Sequence, residues 1–442
     1  MQFFSTCQII SLFLAAFSNF QSLLGINPID MKIKTLTTLM LVAFILSSCL
    51  KDKRMKTYSI YRSEYSIKPE VMENAKLQSP RSLKDLGSFV LYNNAMYINE
   101  KNKGIHVVDY TNPANPINKG FIPIPGNKGL SIKNNVLYAD CYCDLFVFKI
   151  QSDQNITLEN TLTKVFPYTI NYANDDSNYV AFTWIKKDTT VSQSDYKNQQ
   201  YECPNCDMHL FSSMAQPGNN NPSGSTSVGS SMAIFTIVND YLYTVDDSKL
   251  NSFSLSDALH PAKLSVQQIG WNVETIFPFK DKLFIGSMSG MFIYGLTNPQ
   301  KPNYISQFNH MRVCDPVIAD DNFAFVTLRN GTTCGGTVNQ LDVVNISTIT
   351  SPVLLKSFPF TNPHGLSKDK NVMFVCDGTA GLKMIDASNV SNLQVKQTLA
   401  TGKAIDVVAY NSKAFVMLED AIKIYSYDQQ FALTLLGTLN KN

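Results

Sequence analysis

The sequence predicts an all-β fold, a β-propeller of four-stranded blades closed into a ring, on three observations. A pattern of roughly 40 residues returns from about Gly87 to the C-terminus. Its runs are short, alternate apolar with polar residues and are rich in Val, Phe and Tyr, which suits a pleated, half-buried surface. Gly, Asn, Asp and Pro punctuate the runs at hairpin spacing, and nothing downstream of Gly87 sustains a helical period. One repeat cannot bury its faces alone, so a ring of blades is the economical solution.

Each repeat reads as an apolar strand, a polar turn, a second strand, a Gly- or Asp-containing turn, an alternating strand, a corner and a fourth strand. The second strand recurs as Ala95 to Glu100, Leu283 to Ser287 and Val372 to Asp377. The third recurs as Gly104 to Asp109, Gly290 to Tyr294 and Gly381 to Asp386, and the corner as Thr111-Asn112-Pro113, Thr297-Asn298-Pro299 and Ser347 to Pro352. Inner strands are expected to start near Phe89, Leu130, Tyr168, Met232, Val273, Cys314, His364 and Ala404. That count favours eight blades. The third unit is irregular, and absorbing its hairpin gives seven.

Ile105 to Asp109, Leu341 to Asn345 and Leu382 to Asp386 resemble the LVIVD-repeat family of bacterial β-propeller proteins, over roughly residues 86 to 442. The resemblance implies a propeller in an exported setting, with no agreed reaction.

The 442 residues are 44% hydrophobic and 16% charged, ample for a large core, and all-β closed folds of this length fold as single units. The net charge of +2 supplies no strong global field. With no Lys/Arg-rich block or aromatic RNA-binding signature, no nucleic-acid partner is expected. Residues 1–48 read as leader and signal peptide. Met31 to Lys34 is a basic start, Leu36 to Leu46 an apolar run too short to span comfortably, and Leu46-Ser47-Ser48-Cys49 a small-residue close. The apolar stretch upstream of this complete signal suggests Met31 as the true start; the signal resembles that of a bacterial lipoprotein, which implies Cys49 as the acylated mature N-terminus. Residues 49–85 are then anchor and linker, and 86–442 the propeller, with an insertion at about 186–230. The expected location is the bacterial outer membrane or cell surface, lipid-anchored, with the periplasmic side as the alternative.

In a four-stranded blade the start of the inner strand and the turn between the second and third strands share one face. That geometry gathers Lys128, Ser231, Glu274, Arg312, Asp315, His364 and Asp406 toward one mouth of the channel. Convergent polar groups of this kind recognise polar ligands, and Lys128, Glu274, Arg312, Asp315, His364 and Asp406 are the candidate ligand-binding residues. The alternative is that they hydrogen-bond exposed strand ends. The Gly/Asn/Ser-rich insertion is expected to leave by the second turn of the third unit onto the same face, as a mobile loop or lid. A metal at His310, Asp315 and His364 has no recognised ligand spacing, and neither a metal nor any cofactor is expected. His106 reads as a surface or packing residue.

Of nine cysteines, Cys7 lies in the leader and Cys49 at the acylation position. An oxidising compartment makes the rest disulfide candidates, with Cys314–Cys334 preferred over Cys334–Cys376. Cys141-Tyr142-Cys143 and Cys203-Pro204-Asn205-Cys206 are expected to pin the insertion to the second blade. A four-thiolate zinc site or a redox motif is the alternative.

No Gly-x-Ser-x-Gly elbow, phosphate loop or His-Glu zinc pair is present. The favoured function is a binding module of the cell envelope for a glycan, a peptide or a protein partner. The second is an envelope glycan hydrolase or lyase using carboxylates at the channel mouth, which needs an acid paired with a base or nucleophile.

Overall fold

The computed structural model describes residues 55–152, 155–166, 179–192, 226–246, 248–309, 316–330 and 338–441. The described residues open with β1 (Met55–Ile67) and the short helix α1 (Lys68–Asn74), which has Pro69 in its first turn, where a missing N–H costs nothing. Blade 1 is β2 (Leu86–Tyr92), β3 (Ala95–Glu100), β4 (Gly104–Asp109) and β5 (Ile117–Pro123). Blade 2 is β6 (Leu130–Lys133), β7 (Val136–Cys141), β8 (Asp144–Ser152) and β9 (Asn155–Leu162). Then come β10 (Tyr179–Ser192) and the two-residue β11 (Val228–Gly229). Blade 3 is β12 (Phe235–Val238), β13 (Tyr241–Asp246), β14 (Lys249–Ser254) and β15 (Ala262–Gln268). Blade 4 is β16 (Val273–Phe279), β17 (Lys282–Ser287), β18 (Gly290–Gly295) and β19 (Asn303–Asn309). Blade 5 is β20 (Val317–Ala319), β21 (Phe323–Leu328), β22 (Gln340–Asn345) and β23 (Val353–Pro359). Blade 6 is β24 (Leu366–Asp369), β25 (Val372–Cys376), β26 (Leu382–Asp386) and β27 (Gln394–Leu399). Blade 7 is β28 (Ala404–Tyr410), β29 (Lys413–Leu418), β30 (Ala421–Tyr427) and β31 (Leu433–Asn440).

The ring therefore has seven blades, each an antiparallel meander of consecutive strands. The eighth unit, expected near Tyr168, falls outside the described residues at its start. Its one described strand, β10, pairs with β1 in a two-stranded sheet instead of building a blade. A blade needs four strands, and among the described residues only β10 lies between β9 and β11. The first residues of β1 belong to a separate compact unit, whereas every blade lies in the other.

Three local devices repeat. Two-residue hairpin turns between first and second strands take left-handed backbone at both positions, at Asn93–Asn94 (φ 46° and 60°), Asn134–Asn135 (49° and 61°) and Asn411–Ser412 (48° and 56°). In every blade the register slips between third and fourth strands, between Val107 and Val108 in blade 1 and between Met384 and Ile385 in blade 6, with a second slip in blade 2. Such a bulge adds twist, and here it recurs seven times in register. At the corner that follows, a side-chain oxygen accepts a backbone N–H two residues on. Asp109 takes Thr111 (2.7 Å), Asn345 takes Ser347 (2.9 Å) and Asp386 takes Ser388 (3.0 Å). The acid or amide that ends the repeat motif is thus a turn former.

Packing between blades explains the burial. The second strands β3, β7 and β25 are buried throughout, whereas the outermost β23 and β27 are mostly exposed. Apolar clusters bridge successive blades around the ring. The last joins blade 7 to blade 1 through Val408, Phe415 and Met417 against Phe89, Met96 and Val108. Tyr110 meets Phe415 edge-on at 4.7 Å between centroids across that seam. Since each blade uses four consecutive strands, this packing closes the ring without a strand exchanged between its ends. Val71 and Ala75, from α1 and the residue after it, enter the core between blades 1 and 2. Leu77 N and Gln78 N then donate to Ile156 O (3.2 Å) and Phe121 O (2.8 Å) on their outer strands.

Candidate functional site

A segment of the chain crosses the centre of the ring, bonded to inner strands of four blades. The insertion connects the last strand of blade 2 to the first of blade 3, so it does not leave by a second-to-third-strand turn as expected. Its end, residues 226–234, runs along the inner strands of several blades. Ser227 N donates to Ile132 O at 2.7 Å, and Ile132 N to Ser227 Oγ at 2.8 Å. Then β11 pairs with β2, Val228 opposite Leu91 and Gly229 opposite Val90. Leu366 N of blade 6 donates to Ser231 Oγ at 2.9 Å, and Ile276 N of blade 4 to Ala233 O at 3.0 Å. Ser230, Ser231, Met232 and Ala233 are all buried. One strand thus ties four blades together through the axis.

Asp406 lies against this plug, fully buried in β28. Burial pushes its carboxyl up to about 7, opposed by the hydroxyls of Ser230 and Ser231, although neither oxygen makes a well-formed hydrogen bond. Gly365 approaches so closely that an added Cβ would collide with Asp406. The residue is therefore beneath the surface and not in a cleft. Two other acids tie strand ends together. Asp140 Oδ1 accepts from Lys128 N (2.9 Å), Gly129 N (2.7 Å) and Asn127 Nδ2 (2.9 Å), and burial raises its carboxyl to about 6. Asp377 takes Thr361 N (2.9 Å) and Asn362 N (2.7 Å) and pairs with Lys383 (2.6 Å).

Above the plug, three described cations gather around His364. His364 is buried at the start of blade 6, and Arg329, just after β21, donates through Nη1 to its Nδ1. Since guanidinium only donates, Nδ1 accepts, and Nε2–H must donate to Asn362 Oδ1 at 2.7 Å. Burial lowers the imidazole to about 3, helped by the positive charges of Arg329, Lys403 and Lys101. His364 is therefore a neutral bracket for Arg329. Lys101, in the second turn of blade 1, is lowered by burial and by Arg329 and Lys403, with Asp85 acting the other way. Lys403 precedes β28 and pairs with Glu419 at 2.8 Å. Cations from three places in the ring thus converge on one mouth.

Among the sequence candidates, Lys128 is exposed on this face, Glu274 and His364 are buried at strand starts, and Asp406 is sealed below. Arg312 and Asp315 lie outside the described residues, as do His310, Cys49, Cys203, Cys206, Cys314 and Cys334. Cys141, Cys143 and Cys376 are free thiols. Burial raises all three, and Asp144 adds to the rise at Cys143, the opposite of the activation that thiolate chemistry needs. Among the described residues no cluster of His, Cys, Asp and Glu is arranged to hold a metal. His106 is a packing residue, buried against Phe121 with Nε2 2.7 Å from Glu100 Oε2. The strand-start rule missed Lys101 and Arg329 because they follow second strands; applied to second-strand ends, the same rule reaches both.

These features define a seven-bladed β-propeller whose own chain crosses its centre. The LVIVD-repeat family model matches residues 87–122, nearly all of blade 1, and 370–401, the last three strands of blade 6. The chain carries LVIVD repeats and folds as a β-propeller. It is similar to a solved protein of Lactobacillus plantarum, with a TM-score of 0.50 and 11% identity over 80% of this chain and 96% of that one. It is also similar to the periplasmic gluconolactonase PpgL of Pseudomonas aeruginosa (TM-score 0.48, 9% identity, 81% and 98% covered). A third likeness is to BamB of Moraxella catarrhalis (TM-score 0.45, 7% identity, 84% and 98% covered). At such identities the likeness is one of fold alone. No curated protein matches the sequence.

Proposed function

We propose that this protein is a non-catalytic binding module of the cell envelope, held to a membrane through an acylated Cys49, with its recognition face at the mouth that carries these cations. The observation that carries this reading is the plug. Residues 226–234 cross the centre of the ring, hydrogen-bonded to the inner strands of four blades, so the described residues support a braced, rigid face. Among the described residues, the perturbed carboxylates do not favour the hydrolase or lyase alternative. Its most perturbed carboxylate, Asp406, is sealed beneath Ser230 and Ser231, where no sugar ring reaches it. The acids at Asp140 and Asp377 are occupied in tying strand ends together. A rigid platform with charged groups on fixed loops suits recognition of a glycan, peptide or protein partner.

The test is a binding screen of the purified chain against envelope glycans and envelope proteins, run beside Lys128→Ala and Arg329→Ala. Binding that weakens in the variants supports the mouth as the recognition face. Binding indifferent to both refutes it, and turnover of a bound glycan refutes the non-catalytic reading.

A further inference from the structure

We propose that residues 226–234 form a pH-sensitive latch, held in the centre of the ring while Asp406 keeps its proton and released from blades 4 and 6 when Asp406 ionises. The inference is independent of what the mouth recognises.

Asp406 is fully buried in β28, and neither carboxyl oxygen has a hydrogen-bond partner. Beside it on the plug, Ser230 Oγ is equally buried and has none either. Three unpartnered polar atoms thus meet where the plug passes blade 7. The other two buried acids differ, since Asp140 and Asp377 collect backbone amides that tie strand ends together. Blade 4 carries Thr275 at the register position that Asp406 holds in blade 7, just after the slip in the first hairpin. The Thr275 hydroxyl takes Gly286 N at 2.9 Å, a bond within its own blade. Asp406 makes no such well-formed bond, so the blade itself does not call for a carboxyl there.

No cation compensates an ionised Asp406. The groups acting on it are the hydroxyls of Ser230 and Ser231 and the amide of Val407, and residues 226–234 hold no titratable side chain. From blade 6 come Gly365, whose added Cβ would strike Oδ1, and the Cys376 thiol, which burial and the charges of Asp406 and Asp377 push up and keep neutral. Asp377 itself pairs with Lys383, and Met417 stands opposite Asp406 in β29. His364, beside Gly365, is neutral and turned to Arg329 and Asn362.

As an acid, Asp406 can donate its O–H to Ser230 Oγ. As an anion it has only hydroxyl hydrogens to accept, and a buried charge without a counter-ion is strongly unfavourable. Ionisation passes the proton to bulk water, and the anion is relieved once water reaches it. The plug is the piece able to yield. Among the described residues, Leu366 N to Ser231 Oγ and Ile276 N to Ala233 O hold it to blades 6 and 4, whereas each blade is a continuous ladder. Burial holds the carboxyl at about 7 in the closed ring, so the closed form is favoured in acid and loses that advantage as pH rises toward neutrality.

The experiment is amide hydrogen exchange, read by mass spectrometry on the full chain at about pH 5 and about pH 8 and corrected for the intrinsic rate. Asp406→Asn and Asp406→Thr are measured beside the parent. The latch predicts that residues 228–234, Leu366 and Ile276 of the parent lose protection by about 100-fold between these conditions. That is the share of a titration moved from near 3.9 to about 7 that falls in this window. The second strands keep their protection, and neither variant shows the change. Protection of 228–234 that holds in the parent, or falls as far in both variants, overturns the latch. An equal fall across all blades overturns it too, since Asp406 would then set the stability of the whole ring. Should neither variant fold, the parent alone decides, by whether the loss is confined to the plug and its two partner strands or spread evenly.

Discussion

Ser231 Oγ accepts the backbone amide of Leu366 at 2.9 Å, so a hydroxyl on the plug completes the first strand of blade 6. Both residues are buried, and no water reaches the amide in exchange. Ser231→Ala should therefore cost about 1–3 kcal/mol, the penalty of leaving a buried donor unsatisfied. Chemical denaturation measures it, and an unchanged midpoint would show that the plug does not brace the ring.

Asp406 makes stability depend on pH. An unfolded aspartate titrates near 3.9, and burial raises the folded group to about 7. A group raised on folding stabilises fully below its unfolded value, and that contribution is lost as pH rises toward its folded value. The parent should therefore lose stability relative to Asp406→Asn between about pH 4 and pH 7, by on the order of 4 kcal/mol, and level off above that. Unfolding curves of the two proteins across this range measure the difference.

Gly104 and Gly290 begin the third strand of blades 1 and 4, and Gly381 immediately precedes that of blade 6, at φ of 141°, 150° and 84°. An added Cβ at each would collide with the facing outermost strand, at the carbonyls of Ile122, Phe308 and Leu399. Gly290→Ala should therefore destabilise by about 2 kcal/mol or more, combining a disfavoured backbone with a backbone clash. The melting temperature reads this out. The glycine that opens the repeat motif is there for geometry.

Acylation at Cys49 predicts incorporation of an alkyne-tagged fatty acid by the chain in a bacterial host, and its loss in Cys49→Ala. Equal labelling of parent and variant would remove the anchor.

The fold was largely legible because its signals are local. Asn-rich turns, the Gly before third strands and the Asp or Asn at corners each impose one backbone geometry, and each recurs in register. Seven of the expected inner strands lie within about three residues of where the sequence puts them. The eighth failed because a strand-like run, Tyr179–Ser192, says nothing about its partner, and here the partner is β1. The site was less legible. Asp406 and His364 were found by position, but position along a strand does not reveal that residues 226–234 cross the centre of the ring. Nor does it show that Arg329 and His364 form one unit, a contact between positions 35 residues apart.

The most direct test of recognition at the mouth compares two faces of the same ring. Equilibrium binding to immobilised envelope fractions is measured for the parent, for Lys101→Ala/Lys403→Ala at the mouth, and for Lys370→Ala/Lys413→Ala at the hairpin turns of the opposite face. Recognition at the mouth predicts binding weakened by about tenfold or more in the first pair and unchanged in the second. Weakening in the second pair alone, or equal weakening in both, would contradict it.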